Sequence, residues 1–262
     1  MSHGIWSATS GAVAQERTLD VVANNVANAT TTGYRADRVA FREFLSRAQA
    51  DGPAPEDIRY TAVDEVTFDE TTGIMKATGN PFDLALEGDG WFVVEGPEGF
   101  RYQRAGSFVV GENGTLTTPD GLPVMGRPQD PQSPTAVRIT IPNPSGPITI
   151  DGDGTLRATV VDANGVATGG SQTLGQLRLV RFAEGDGLRK EGHTRFLADG
   201  VPAEAYDTVS VRQGFLEGAN VNAIAGMHEL ITVSRSFEAF QKVIDSFQEL
   251  DQRTAREVGS RG

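Results

Sequence analysis

The chain has no cysteine among its 262 residues, which excludes disulfides, thiolate metal sites and thiol nucleophiles. Histidine is almost as scarce. His3, His193 and His228 fall in separate stretches without paired spacing, so no helical metal motif exists. Neither a Gly-x-Ser-x-Gly elbow nor a phosphate loop is present. Gly88-Asp89-Gly90 lacks the third glycine of a dinucleotide loop, and Asp151-Gly152-Asp153-Gly154 lacks the closing glutamate of a calcium loop, so both read as turns. With no catalytic constellation and no cofactor motif, a non-enzymatic role without cofactor or metal is expected. Positive charge is also short. There are 23 lysines and arginines against 35 acids, for a net charge of −12 without a basic stripe, a poor match to nucleic acid. Apolar runs never approach the roughly 18 residues of a membrane span, so no membrane insertion is expected. The first residues lack a basic segment followed by an apolar one, so an ordinary cleaved signal is not expected either.

What the chain has is a pattern at each end. Leu230, Val233, Phe237, Phe240, Ile244 and Phe247 recur at alternating steps of three and four. Ile5, Ala12, Leu19 and Val26 recur every seven, with Ala8, Val22 and Ala29 between them. Each is a coiled-coil seam. The first helix is expected over residues 3 to about 28, stopped by Asn28, the β-branched run after it and Gly33. The last is expected to start after Asn220 or Asn222, both good N-caps, and to run to about residue 258. The first seam is rich in alanine and cannot cover the phenylalanine-rich second one. Met227, Ile231 and Val243 add apolar surface beside it, so the helices are expected to need each other and further copies of the chain. Asn24, Asn25 and Asn28 cluster near the end of the first helix, where amides cap backbone or bond across an interface.

Between the ends the signals are those of β-structure. Residues 36–48 carry Phe41 and Leu45 on one helical face and Arg35, Arg38 and Arg42 on another, which predicts a short amphipathic helix. Residues 49–75 read as an acidic linker, a loop or weak strands. From residue 76 to 213, short apolar runs alternate with Asn113-Gly114, Asp120-Gly121, Asp153-Gly154 and Asn164-Gly165, the dipeptides of tight hairpins. Asn113-Gly-Thr-Leu116 is echoed by Asp153-Gly-Thr-Leu156, and a proline-rich stretch near 128–147 is a candidate boundary between two lobes. The fold class is α+β: a discontinuous coiled-coil domain made of residues 1–48 and 214–262, joined through 49–75 to a β-rich domain at 76–213.

The residues also carry a family likeness. The stretch from Leu19 to Arg35, with Asn24, Asn25, Asn28, Thr32, Gly33 and Tyr34, resembles the N-terminal signature of bacterial flagellar rod and hook proteins. Gly214 to Asn222, with Glu217, Asn220 and Asn222, resembles the signature before their last helix, and Asn80–Phe92 with Tyr102–Phe108 resembles their shared β-segments. The opening Met1–Trp6 looks like the proximal-rod branch, the distal-rod or hook branch being the alternative. The likeness implies helical assembly with copies of the chain and neighbouring rod proteins into a periplasm-crossing drive shaft. It also implies export through the flagellar type III apparatus, location in the basal body, and a mechanical role in motility. It places the signature residues and Ile5, Leu19, Val22, Val26, Leu230, Val233, Phe237, Phe240, Ile244 and Phe247 at subunit interfaces. A secreted β-rich adhesin is the alternative of a different class.

Overall fold

The computed structural model describes residues 2–47, 57–128, 136–142, 146–161, 167–182, 187–200, 203–205 and 209–259. The chain has a helix at each end and strands between them, dividing into two compact units. One comprises residues 1–29, 36–69 and 221–262, the other 30–35 and 70–220.

In the first unit, helix α1 spans Ser2–Ala27 and α2 spans Ala223–Gly259. At 1.5 Å per residue these are about 40 and 55 Å long. Asn222 caps α2: its Oδ1 accepts from the backbone nitrogens of Ile224 (3.1 Å) and Ala225 (3.2 Å). At the far end of α1, Asn28 Nδ2 returns to the carbonyl of Asn24 at 2.9 Å, while the last backbone bonds tighten into a turn. Gly33 takes no part in this cap; it lies beyond the helix, in the other unit.

Residues 36–48 depart from expectation. Instead of a helix they contain a strand, β1 (Asp37–Arg47), antiparallel to β2 (Asp57–Phe68). The reason lies in the partner. Ile58, Tyr60, Ala62, Val66 and Phe68 alternate, but the acids between them disguise the pattern, and a register shift at Ala40/Phe41 leaves Asp64 out of the pairing. Once β2 offers an edge, Val39, Phe41 and Phe44 follow their β-preference and the helical spacing of the arginines loses. The acidic segment is therefore in large part a strand belonging with the terminal helices, not a separate linker.

Every strand pairing among the described residues of the second unit is antiparallel. Its largest sheet has six strands in the order 188–191, 195–198, 99–103, 91–96, 179–181 and 204–205. Strands 84–87 and 210–213 pair beside it, as do 75–77 and 215–217. One core gathers Leu84, Leu86, Phe92, Phe108, Leu116, Ile139, Ile150, Leu156, Leu177 and Val211. It draws on both sides of residues 128–147, so the two-lobe division does not hold; residues 129–135 and 143–145 of that stretch lie outside the described residues. The central runs Leu84–Leu86 and Trp91–Val94 are buried on both faces, which is why they read as continuous apolar blocks.

The sequence echo is structural. Gly114 and Gly154 both have positive φ (73° and 80°), and each N–H bonds the carbonyl three residues back at 2.9 Å. Each glycine carbonyl then accepts from an incoming apolar residue, Ile141 (2.7 Å) or Leu177 (2.9 Å), and each turn delivers a leucine, 116 or 156, to the core. In the second turn, Asp153 accepts from the Thr155 amide and hydroxyl at 2.9 Å, which holds its carboxyl below the usual range; this is turn chemistry. Asp120-Gly121 also forms a turn, and Asn164-Gly165 lies outside the described residues.

One side chain closes an open strand edge. Gln213 Oε1 accepts from the Ile150 amide (3.2 Å), and its Nε2 donates to the carbonyls of Pro81 (2.9 Å) and Ile148 (3.0 Å). Gln213→Glu keeps the shape but removes both donors and sets a charge against two carbonyls. It is expected to cost about 2–3 kcal/mol, read as a thermal midpoint lower by roughly 5–10 °C. An unchanged midpoint would show that the amide is not needed.

Candidate functional site

Among the described residues no cluster of catalytic groups presents itself, so the candidate sites are surfaces and joints. Within the first unit, α1 and α2 lie antiparallel. A Cβ at Gly11 would stand 2.6 Å from Phe240 Cε1, and one at Gly226 would stand 2.7 Å from Val26 Cγ2. The span from Gly11 to Val26 on α1 matches the span from Phe240 back to Gly226 on α2, as an antiparallel register requires. Each glycine receives a side chain of the other helix where a methyl would not fit.

Burial along the seam is uneven. Ala8, Ala12, Val22 and Val233 are buried, whereas Ile5, Leu19, Val26, Leu230, Phe237, Phe240, Ile244 and Phe247 are only half-buried. Ala14, well round α1 from Ala8 and Ala12, is buried too, and the β1–β2 hairpin packs along this helix. Among the described residues of its unit, helix α2 packs chiefly on α1. Ile224 (83% exposed), Met227 (56%) and Ile231 (52%) project on one flank of the seam, and Val243 and Leu250 on the other. Trp6 and Val13, seven apart on α1, are exposed as well.

The asparagines predicted for subunit contacts are engaged within the chain. Asn25 brackets the backbone of Asp37, donating to its carbonyl and accepting from its N–H, both at 2.8 Å, and Asn24 Nδ2 donates to Asp37 Oδ2 at 3.2 Å. Together they dock the start of β1 against the end of α1. Buried Asn28 closes the helix.

The second-unit signature residues are mostly interior. Gly33 adopts φ 68° and donates its N–H to the Glu217 carbonyl at 2.8 Å. Tyr34 is fully buried; Lys190 Nζ lies 3.9 Å from its ring centroid and donates to the Arg35 carbonyl at 2.9 Å. Thr32 is half-buried beside a cavity of about 230 Å³ that Gln103 and Ser107 also line. Asn220 Nδ2 donates to Thr71 O (3.0 Å) and Oγ1 (3.2 Å). Gly33, Tyr34 and Glu217 are thus parts of the chain's own interior, where the sequence had placed them at a subunit surface. The physical reason is that Glu217 is a carboxylate buried among cations.

That cluster escaped the sequence. Glu217 Oε1 accepts from Arg35 Nη1 (2.7 Å) and the Gly73 amide (2.8 Å), and Oε2 from Arg104 Nη1 (3.4 Å). Arg104 Nη2 also donates to Gly88 O (2.7 Å) in the turn entering the central strand, and its guanidinium lies 5.5 Å from the Trp91 ring centroid. All three charged groups are almost wholly buried, two cations to one anion. Burial pushes Arg104 down to about 10, Glu217 opposing and Arg35 reinforcing the shift. The only hint in the sequence was that Arg35, Arg104 and Glu217 each stand inside a family-like motif.

Comparison with known proteins decides the class. Residues 5–35 match the family of flagella basal body rod proteins, 85–158 the D1 domain of flagellar hook proteins FlgE/F/G, and 212–257 the C-terminal region of flagellar basal body rod FlgEFG proteins. A flagellar basal-body rod protein FlgF of Mesorhizobium japonicum is 32% identical over 91% of this chain and 90% of its own length. The chain belongs to the flagellar basal-body rod protein family. Two further relatives, FlgF of Escherichia coli and FlgG of Agrobacterium fabrum, are 35% and 34% identical over 94% and 93% of the chain, and each match covers 94% of the relative. The rod protein is a structural subunit of the basal body, and its relatives are structural rod proteins rather than enzymes. Among the described residues no helix is long and apolar enough to cross a membrane.

Proposed function

We propose that the rod protein assembles with copies of itself and with neighbouring rod proteins through the outer flanks of its paired terminal helices, forming a helical shaft that carries motor torque. The observation that carries this reading is the exposure of Ile224, Met227 and Ile231 beside a half-buried seam on a long helix whose main packing partner among the described residues of its unit is α1. Apolar side chains in such a row are stabilised when a neighbour removes them from water, by about 1.5–3 kcal/mol each on full burial. Non-closing, head-to-tail repetition of one such contact makes a filament. Subunits reach the growing shaft through the flagellar type III export apparatus, the route that the likeness to rod proteins implies. The opening Met1–Trp6 favours the proximal-rod branch. Because Gly33, Tyr34 and Glu217 are interior, the proposed interface consists of the helical flanks and the half-buried seam residues.

The double variant Met227→Glu/Ile231→Glu tests this. Both side chains are exposed, so isolated stability is expected to change by less than about 0.5 kcal/mol per site. Cells carrying it are expected to lose swimming and to lack the protein in purified basal bodies. Normal swimming would remove this flank from the interface.

A further inference from the structure

The chain crosses between its two units four times, at 29/30, 35/36, 69/70 and 220/221. Three stretches of the second unit lead to those crossings: 30–35, 70–74 and 217–220. All three meet at Glu217. Its carboxylate holds Arg35 from the first stretch and the Gly73 amide from the second, and its own carbonyl receives the Gly33 amide. Two backbone bonds continue the pattern, Gly218 N to Ile74 O (2.9 Å) and Asn220 N to Tyr34 O (3.3 Å). Arg104 fastens the same carboxylate to the turn that begins the central strand.

We infer that Glu217 is a positioning residue that makes the three connecting stretches open and close as one cooperative root, separate from the β-core. The physical grounds are charge and burial. With Arg35, Arg104 and Glu217 almost wholly buried, separating 217–220 leaves two guanidiniums without their anion, separating 30–35 removes the nearer of the carboxylate's two cations, and separating 70–74 takes the Gly73 amide from a carboxylate held in a low-dielectric setting. No stretch can therefore leave alone at low cost, although each is only a few residues long and Tyr34 is the one large side chain among them that is fully buried and uncharged. For a shaft subunit the consequence is that strain reaching the β-unit along one connection is shared by all of them. The inference about the root concerns the isolated chain and stands apart from the assembly reading.

Native-state amide exchange on the full chain tests it. The amides of Gly33, Gly73, Gly218 and Asn220 are expected to share one opening equilibrium. Values scattered by more than about tenfold would overturn the inference. Glu217→Gln is expected to accelerate all four together, on the order of 100-fold, while the core amides of Leu116, Val124 and Ile141 change by less than about threefold. Equal acceleration of the core, or acceleration of Gly73 alone, would count against it. Arg35→Met separates cooperation from simple loss of a contact. Arg35 bonds neither the Gly73 nor the Gly218 amide, yet both are expected to accelerate; unchanged rates there would sink the proposal. If the Gln variant does not fold, the wild-type panel and Arg35→Met still decide.

Discussion

Gly33→Ala is expected to lower the thermal midpoint of the β-rich unit by about 10 °C. Two costs combine. With φ at 68°, an alanine pays about 1–2 kcal/mol for left-handed backbone. A methyl would also stand 2.6 Å from the Ala105 Cα and the Arg104 carbonyl carbon. These are backbone atoms, so the overlap cannot be relieved by a rotamer change, and overpacking adds about 1–3 kcal/mol. Moving the backbone instead would pull the Gly33 amide from the Glu217 carbonyl and disturb the buried charges beside it. Gly79→Ala is the control. Its φ is 75° but nothing lies within 4 Å of the added methyl, so only the backbone cost of about 1 kcal/mol should appear. Equal midpoints for the two variants would show that packing around Gly33 is irrelevant.

Phe240→Asp is expected to separate the terminal helices and abolish motility while leaving the β-unit's own transition in place. The Phe240 ring rests where Gly11 leaves room, in contact with the α1 backbone. Replacing it loses the ring's burial and sets a carboxylate in an apolar seam, a cost on the order of 3 kcal/mol to helix pairing. Far-ultraviolet dichroism should report reduced helicity with a broadened, earlier loss on heating, since separated helices depend on weak local propensity. Swimming in soft agar should fall to that of a strain lacking the protein. Full motility, or undiminished helicity, would mean that the seam is not what holds this unit.

Which parts of this fold were legible follows from how local their signals are. The seams could be read because steps of three and four lie within two helical turns, and Asn222 announced the start of α2 by its own chemistry. Asn113-Gly114 and Asp153-Gly154 could be read because a hairpin turn is settled by two residues. The β1–β2 hairpin was hidden: Arg35, Arg38 and Arg42 imitate a helical face, and Asp64 interrupts the alternation that names β2. The Glu217 cluster was out of reach for another reason. Its partners Arg35 and Arg104 lie 182 and 113 residues away, and nothing near them distinguishes a buried arginine from a solvated one. Family likeness flagged these positions without disclosing what they do; within the chain, Glu217 and Arg35 form a buried ion pair.

The antiparallel register of α1 and α2 has a topological outcome. It brings residue 2 alongside the region near residue 249 at one pole of the helix pair, and gathers Ala27 and Ala223 at the other. The first turn of α1 therefore lies beside α2 about ten residues short of that helix's end, while the end of α1 and the start of α2 share the opposite pole. A fluorophore placed on the first turn of α1 consequently reports on the α2 segment near residue 249, and a bulky group introduced there crowds that segment.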